Sequence, residues 1–240
     1  MKPTSPVRNA ELETVRLGYD VWHGHNATSA LQDLRSPWYE WVQQNLVATP
    51  GVRILEVACG RGALVGWLHE QGAQAYGCDI SQTALTQARS NFGGRFLLGD
   101  IHSLSFPRGS FDFVVCCETL EHTLDPRGAL REIRRVLRPG GKLLLTTPSY
   151  LNTYGLYRLY LRFRGRPFGT HGIQPIDRAF LSPFVARRIH RAGFRIHAMD
   201  GLVHYLRPAR DRLLWIERRT WLRRLAIYFA LHFAVIAEAK

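Results

Sequence analysis

The sequence predicts an α/β fold built on a doubly wound, mostly parallel sheet of seven strands. Short apolar runs alternate with segments of helical spacing between residues 53 and 147. That alternation is typical of parallel strands with helices packed on both faces of the sheet. A continuous apolar run over 111–117 has the character of a central parallel strand. The chain of 240 residues is long enough to form one domain with insertions and to bury a large core.

Five strands and three helices are expected in the first two thirds of the chain. Glycine, proline or acidic residues punctuate the apolar runs. The strands are predicted at 53–57, 75–79, 95–99, 111–117 and 142–147. The helices between them are predicted at 63–71, 82–92 and 125–137. Residues 11–48 also have helical character, so we expect an N-terminal helical lid over 1–48 and a core over 49–148.

The alternation breaks after Pro148. It resumes with a predicted helix over 177–192, a strand over 194–198 and a last strand over 234–239. We therefore interpret 149–179 as a cap insertion and 180–240 as the rest of the core, with a second basic insertion at 201–224. The apolar run over 225–237 is only about 13 residues long. Because a spanning helix needs roughly 20 apolar residues, no transmembrane segment is expected.

The positive charge of the chain is concentrated in one segment. Residues 1–149 contain 15 Lys or Arg and 14 Asp or Glu, whereas residues 150–224 contain 16 Arg and 4 acidic residues. The formal net charge of +13 therefore comes almost entirely from the second segment. Such a segment can meet an anionic membrane, a nucleic acid or an acidic substrate, or it can form a solvated arginine-rich surface.

Aromatic residues are interleaved with arginines in the basic segment. Tyr157, Tyr160 and Phe163 lie among arginines in one stretch, and Trp215 and Trp221 do so in another. Aromatic rings favour the membrane–water boundary, and arginines favour anionic headgroups. One interpretation is a basic aromatic cap that contacts an anionic membrane surface. The other is a substrate-pocket cap whose aromatic rings face inward.

The cysteines and the N-terminal residues predict a cytoplasmic protein, which the basic segment could bring to a membrane. The four cysteines lie in or beside apolar runs and lack the spacing of zinc ligands, so they are interpreted as reduced, buried thiols. Residues 1–9 lack the apolar core of a secretory signal.

Three motifs of candidate chemistry lie directly after predicted strands. The first strand runs into a turn at Gly60 and Gly62, where the backbone can pass close under a ligand before a helix begins. Asp79 ends the second strand, where a carboxylate can accept hydrogen bonds from both hydroxyls of a ribose. Asp100 ends the third strand, where an adenine amino group would lie. The structural alternatives are a plain strand-to-helix turn for the glycines, a helix cap for Asp79 and an ordinary loop aspartate for Asp100. A dinucleotide-binding fingerprint would need a third glycine at position 65, and Val65 therefore weighs against NAD or FAD.

Two further motifs complete an ordered set. Residues 111–122 read Phe-Asp-Phe-Val-Val-Cys-Cys-Glu-Thr-Leu-Glu-His, and residues 137–141 read Leu-Arg-Pro-Gly-Gly. Together with Glu-Val-Ala-Cys-Gly-Arg-Gly, the strand-two aspartate and Gly-Asp-Ile, they occur in order over residues 50–148. In this set and its spacing the chain resembles the class I S-adenosylmethionine (SAM)-dependent methyltransferases.

The resemblance implies a Rossmann-like methyltransferase fold, whose last two strands form an antiparallel edge pair, and it implies the cofactor SAM. Gly60 and Gly62 would pass beneath the methionine part of SAM, Asp79 would bind the ribose, and Asp100 would meet the adenine. Ala58 stands where the family usually has glycine, and it is small enough to be tolerated there. The complete set that the resemblance assigns to cofactor binding is Glu56, Ala58, Gly60, Gly62, Asp79, Ile80, Asp100, Ile101, Cys117 and Glu118.

A narrower resemblance concerns the ubiquinone-biosynthesis O-methyltransferases, which share a Glu-x-x-Glu-His pattern after the fourth strand. It implies that Glu118, Glu121 and His122 hold a divalent cation, Mg²⁺ or a harder transition metal, that positions a catechol-like oxygen. In the metal-free alternative, Glu118 faces the sulfonium of SAM, and His122 packs or acts as a base. The predicted catalytic residues are His122, Glu121 and His171, of which His171 could equally lie in a turn.

Three functions remain open at this point. The leading hypothesis is methyl transfer from SAM to a small-molecule or lipophilic acceptor, at oxygen. The second is an RNA or DNA methyltransferase that uses the basic segment; aromatic–arginine interleaving favours it, but no Asn-Pro-Pro-Tyr-type motif or RNA-binding module occurs. The third is a non-catalytic or NAD-binding nucleotide module. The polar residues Glu118, Glu121 and His122 after the fourth strand argue against it.

Overall fold

The computed structural model describes residues 6–25, 34–165, 175–176, 178, 180–202 and 227–240. The helices in this part of the chain are α1 (Pro6–His25), α2 (Pro37–Asn45), α3 (Ala63–Glu70), α4 (Gln82–Asn91), α5 (Pro126–Val136), α6 (Thr153–Phe163) and α7 (Ser182–Arg191). The strands are β1 (Arg53–Val57), β2 (Gln74–Asp79), β3 (Arg95–Leu98), β4 (Phe111–Cys117), β5 (Leu137–Pro148), β6 (Phe194–Leu202) and β7 (His232–Ala239). A short 3₁₀ helix, Leu120–His122, follows β4.

The seven strands form one sheet in the order β3-β2-β1-β4-β5-β7-β6. β1 to β5 are mutually parallel where they pair, and β7 runs antiparallel to both β5 and β6. The predicted doubly wound, mostly parallel sheet and its antiparallel edge pair are therefore confirmed. The chain leaves β1 toward one side of the sheet and returns at β4 on the other, so the strand order reverses between these two strands. Their carboxyl ends border the crevice in which such folds bind ligands.

The sheet is buried on both faces by two separate hydrophobic clusters. Leu55 of β1 belongs to the cluster that α5 covers with Leu130 and Ile133. Its neighbour Ile54 points the other way, into the cluster that α3 covers with Leu64. All five side chains are fully buried. Successive residues of a strand face opposite sides, so only a continuous apolar run can supply both clusters, as the sequence pattern predicted.

Several element boundaries differ from the predicted ones, and prolines explain two of the differences. α5 ends at Val136 and Leu137 already pairs with Phe111, because Pro139 cannot continue a helix and drives the preceding Arg138 toward extended backbone. α7 begins at Ser182 rather than at 177, because Pro183 is tolerated in the first helical turn but not in the interior. β6 and β7 are also longer than predicted, since they pair with each other along their whole lengths.

The cap and lid segments are described only in part. α1 and α2 lie within the predicted lid, and α6 lies within the predicted cap. The second basic insertion with Trp215 and Trp221, and the cap residue His171, lie outside the described residues. The lid and cap assignments stay predictions. None of the described helices is long and apolar enough to cross a membrane.

Candidate active site

A pocket opens at the carboxyl ends of β1, β2 and β4, where the strand order reverses. Most of the residues predicted to bind the cofactor line this pocket: Ala58, Gly60, Asp79, Ile80, Asp100, Ile101, Cys117 and Glu118. His122, predicted to be catalytic, lines it as well. Glu56, Gly62 and Glu121 belong to the surrounding structure instead and do not line it. The tertiary structure thus brings together residues that lie more than sixty positions apart in the chain.

Asp79 is the buried anion at the floor of the pocket. Its Oδ2 accepts a hydrogen bond from the Gly60 N–H at 2.8 Å, and its Oδ1 accepts one from the Ser81 N–H at 2.8 Å. Burial raises the pKa of Asp79 above its usual value, against the lowering effect of these N–H donors. Each carboxylate oxygen has a second lone pair. Asp79 can therefore accept two further hydrogen bonds from a bound diol.

The turn after β1 uses left-handed backbone at three alternate positions. Ala58, Gly60 and Gly62 have φ angles of 54°, 51° and 80°. Ala58 holds this conformation although it is not glycine, which is strain that its small side chain limits. Gly62 precedes α3, and a Cβ there would lie 2.5 Å from the Phe96 ring. The glycine at 62 is thus required for packing behind the pocket.

Glu56 supports the same turn from behind. Its side chain is buried, and its Oε1 accepts a hydrogen bond from the Tyr39 hydroxyl at 2.7 Å. Because Tyr39 belongs to α2, this bond fixes the second N-terminal helix against the first strand. Glu56 therefore lies behind the loop that lines the pocket, and its predicted part in cofactor binding stays a prediction.

Asp100 is held by a histidine that the sequence motifs did not reveal. The Asp100 Oδ1 accepts the His102 main-chain N–H at 3.0 Å and contacts His102 Nδ1 at 2.6 Å. His102 Nε2 in turn lies 3.1 Å from the Asp125 N–H, which it accepts when Nδ1 carries the proton. His102 also lines the pocket. It connects the loop after β3 to the start of α5.

Glu118 is paired with a histidine from the far end of the chain. Its Oε2 accepts a hydrogen bond from His232 Nδ1 at 2.8 Å, and the His232 ring lies 5.3 Å from that of Trp38. Burial opposes charge on His232, but the hydrogen bond and the charge of Glu118 outweigh it and raise the pKa of His232. Glu118 has a φ of 48°, and its Oε1 is buried without a hydrogen-bond partner among the described residues. His232 thus binds the Oε2 of Glu118, and the Oε1 can accept a hydrogen bond from a ligand in the pocket.

The predicted metal site is not supported by the described residues. The 3₁₀ helix turns Glu121 away from Glu118, and the fully buried Glu121 accepts a hydrogen bond from the Thr147 hydroxyl at 2.9 Å. His122 donates from Nδ1 to the main-chain oxygen of Ile176, at 2.5 Å. Among the residues that the structure describes, no three His, Cys, Asp or Glu side chains are grouped to hold a metal ion. Glu118 binds His232 instead of converging with Glu121 and His122.

Glu121 and His122 form a closely placed pair at the edge of the pocket. The Glu121 Oε1 lies 3.5 Å from His122 Nε2. The carbonyl of Ile176 can only accept, so Nδ1 of His122 carries a proton and Nε2 is the ring nitrogen that can take up another. A buried carboxylate beside that nitrogen would stabilise the imidazolium. The pair has the composition of a general base and its supporting anion.

α1 supplies one wall of the pocket, and the sequence motifs did not indicate this wall. Leu12, Val15, Tyr19 and Trp22 line the pocket, and their spacing of three and four residues was the available signal, since it marks one face of a helix. Asp20 anchors the helix, because its Oδ1 accepts from the Ser81 hydroxyl at 2.7 Å and from the Thr83 N–H at 2.9 Å.

The C-terminal end of α1 places His23 over the glycine turn. Its Cε1 lies 3.6 Å from the position that a Cβ on Gly60 would occupy, and its Nδ1 is buried without a partner among the described residues. Burial, reinforced by the charge of Arg61, lowers the pKa of His23 to about 4. Arg61 also donates to the main-chain oxygen of His23 at 3.0 Å. A neutral imidazole therefore faces the turn.

The cysteines are buried and free, as predicted. Burial raises the pKa of the Cys78 thiol to about 12 and raises those of Cys59, Cys116 and Cys117 as well. Since the thiolate is the reactive form, these side chains serve the core and the pocket wall as apolar groups.

Comparison with known proteins agrees with this architecture. A family model described as a methyltransferase domain matches residues 55–145. The ubiquinone biosynthesis O-methyltransferase of Acinetobacter baylyi is 26% identical over 198 residues, which cover 77% of this chain and 80% of that protein. The protein of the same name from Alkalilimnicola ehrlichii is 29% identical over 197 residues, which cover 76% of either chain.

Solved structures show the same fold. The crystal structure of an S-adenosylmethionine-dependent methyltransferase from Mesorhizobium loti matches with a TM-score of 0.61 at 19% identity, over 85% of this chain and 98% of that one. The sheet order and the antiparallel edge pair thus correspond to the Rossmann-like methyltransferase fold. Residues 55–145 thus form a methyltransferase domain, and together with the relatives and the fold this domain indicates a SAM-dependent methyltransferase.

Proposed function

We propose that this enzyme transfers the methyl group of SAM to an oxygen atom of a small-molecule or lipophilic acceptor. The observation that carries the proposal is that one pocket is lined both by predicted cofactor residues and by His122, with Glu121 3.5 Å behind the His122 ring. The relatives named as O-methyltransferases of ubiquinone biosynthesis support transfer to oxygen. A nucleic-acid acceptor is the second candidate, and the arginine-rich sequence of 150–224 with its interleaved aromatic residues favours it.

The cofactor would lie along the carboxyl ends of β1 and β2. Asp79, with both oxygens anchored by N–H groups, would accept the two ribose hydroxyls, and Asp100 would face the adenine. The methionine part would cross the turn at Gly60. The unpaired Oε1 of Glu118 would lie near the sulfonium, where a carboxylate attracts the positive charge in a low-dielectric setting. These roles use the anchored carboxylate of Asp79 and the Glu118 Oε1, which has no hydrogen-bond partner among the described residues.

His122 is proposed as the general base. SAM supplies a methyl group on a sulfonium, which is already a good leaving group. The chain must hold the acceptor oxygen in line with that methyl group and remove its proton as the carbon–oxygen bond forms. Nε2 of His122 would take the proton, and the buried Glu121 carboxylate at 3.5 Å would stabilise the imidazolium. His171 remains a second predicted base, outside the described residues.

A lipophilic acceptor would fit a protein that touches a membrane. On α6, five apolar or aromatic side chains are about half exposed or more: Leu156, Tyr157, Leu159, Tyr160 and Phe163. Arg158 lies on the same helix, and Arg164 directly follows its last residue. We propose that this helix contacts an anionic membrane surface from the cytoplasmic side, since apolar burial and arginine–headgroup attraction would add.

The acceptor class can be identified with labelled SAM. The full-length protein is incubated with SAM carrying a labelled methyl group and with lipid, nucleic-acid and small polar fractions of a cell extract. We expect the label in the lipid or small-molecule fraction, in an alkali-stable ether. His122→Gln should lower the turnover number by about 10²–10⁴-fold, the usual contribution of a general base, and should leave the dissociation constant of SAM unchanged.

The exposed His69 on α3 provides the matched control. His69→Gln makes the same chemical change outside the pocket, so it should retain full turnover. Label in the nucleic-acid fraction alone would overturn the proposed acceptor class. Full activity of His122→Gln would remove the proposed base while leaving methyl transfer itself in place.

A further inference from the structure

A second concave site lies beside the cofactor pocket, on the other side of His102. It is a cleft of about 470 Å³ between the loop before β4, helix α5 and the end of α7. We call it the arginine cleft, because five arginines line it: Arg108, Arg131, Arg134, Arg135 and Arg191. The sequence motifs did not indicate it, since these arginines come from three separate segments of the chain.

Two of these arginines build the walls of the cleft. Arg135 donates to the main-chain oxygens of Leu104 and Phe106, at 2.8 and 2.7 Å, and so fixes the loop before β4 against α5. Arg134 donates to the main-chain oxygen of Gly193 at 3.2 Å and fixes the turn after α7 on the opposite side. The cleft therefore has a defined shape that does not depend on a ligand.

The acidic residues in the cleft are already committed to other partners. Both oxygens of Glu132 bind Arg135, at 2.7 and 2.8 Å, and one of them also accepts the Leu104 N–H. Asp125 caps α5 by accepting the Arg127 N–H at 3.0 Å, and it lies 3.7 Å from the largely exposed Arg131. Five arginines and only two acidic residues thus line the cleft. Both carboxylates already bind other groups, so they do not neutralise the remaining arginines.

Two of the cations have no partner in the part of the chain that the structure describes. Arg108 stands on the loop wall and Arg191 at the end of α7, both exposed, and neither makes an ion pair or hydrogen bond with a described residue. Like charges held together in a concave site focus the field and attract an anion. Guanidinium groups bind oxyanions in a two-pronged geometry, which suits phosphate oxygens.

We propose that the arginine cleft binds a soluble small molecule that carries phosphate or pyrophosphate groups. A multiply charged oxyanion matches the surplus of positive charge, and the volume of the cleft accommodates more than one phosphate group. The site is separate from the cofactor pocket, although His102 lines both. Its occupant would therefore be additional to SAM and to the methyl acceptor.

Calorimetric titration of the full-length protein with inorganic pyrophosphate at about 0.15 M salt tests the proposal. At that ionic strength the screening length is about 8 Å, so weak long-range attraction is suppressed. We expect saturable binding to one site. The double variant Arg108→Gln, Arg191→Gln should weaken that binding by about ten-fold or more, since hydrogen bonds to charged groups are lost. Unchanged thermal unfolding of the variant would show that it is folded.

A double variant of equal charge separates a specific site from general attraction. Arg187→Gln, Arg195→Gln removes two exposed arginines that lie outside the cleft. It should bind pyrophosphate as the wild type does. Equal weakening in both double variants, or no saturable binding by the wild type, would overturn the proposal. Binding of phosphatidylglycerol vesicles without binding of pyrophosphate would overturn it as well, because the occupant would then be a membrane.

Discussion

His23 is a histidine that folding keeps neutral. Its ring lies against the glycine turn, and burial next to the Arg61 guanidinium lowers its pKa to about 4, from an ordinary value of 6.5. The unfolded chain takes up a proton on this side chain below about pH 6.5, whereas the folded chain does so only near pH 4. Since the unfolded state binds more protons in that interval, protonation favours unfolding there.

We expect acidification from pH 6.5 to 4 to lower the free energy of unfolding by up to about 3 kcal/mol through His23 alone. His23→Gln cannot be protonated, so this part of the loss should disappear in that variant. Urea unfolding at several pH values measures it. The exposed His69 serves as a control, because His69→Gln should follow the wild-type curve. Parallel curves for wild type and His23→Gln would contradict the assignment.

At the scale of an element, α6 presents an unusual surface. Leu156 is 68% exposed and Phe163 is 82% exposed, on a helix that also carries arginines. Apolar side chains scattered singly on a surface are ordinary, but a helix that exposes several is typical of an interaction site. In the proposed membrane contact, these exposed apolar side chains of α6 would be buried against lipid.

Flotation with liposomes tests that contact. The wild-type protein should float with phosphatidylglycerol-containing liposomes, and high salt should weaken the attachment only in part, because apolar burial is not screened. The double variant Leu156→Ser, Phe163→Ser should float much less. Leu17→Ser, Val21→Ser changes two exposed apolar residues of α1 and provides the control. Failure of the wild type to float with any liposome would refute the contact.

At the scale of the whole molecule, cofactor binding should raise stability through mass action. A ligand at about 100 times its dissociation constant stabilises the folded state by roughly 2.7 kcal/mol. For a chain of 240 residues, that corresponds to a rise of roughly 5–10 °C in melting temperature. We expect this rise with SAM, measured by scanning calorimetry.

Asp79→Asn tests whether the rise comes from the proposed site. Losing charged hydrogen bonds to the ribose should weaken SAM binding by about 1–3 kcal/mol, so the same SAM concentration should give only about a tenth to two thirds of the rise. For each variant the melting temperature with SAM is compared with that of the same variant without SAM. This is needed because the amide also alters the hydrogen bonds from Gly60 and Ser81 and can change the stability of the free protein. Glu238→Gln changes an acid on the surface and should keep the full rise. An undiminished rise in Asp79→Asn would contradict the role of Asp79.

The sequence by itself determined the catalytic half of this protein. The glycine turn follows β1 and Asp79 ends β2, each within one strand–turn–helix unit, and Asp100 directly follows β3, so each position relative to its strand follows from local backbone geometry. Parallel strands then place the ends of these units at one edge of the sheet. Periodicity and turn residues encode such local relations directly.

Only the tertiary structure decided which distant side chains meet. Glu118 binds His232 across 114 positions, because β7 enters the sheet antiparallel beside β5 and brings its first residue to the same edge. That hydrogen bond and the turn of the 3₁₀ helix separate Glu118 from Glu121. The metal site predicted from the closely spaced Glu118, Glu121 and His122 therefore does not form. The helical period of α1 marks an apolar face, but only packing decides that this face covers the pocket. The arginine cleft likewise depends on packing, because its arginines come from separate segments that share no period.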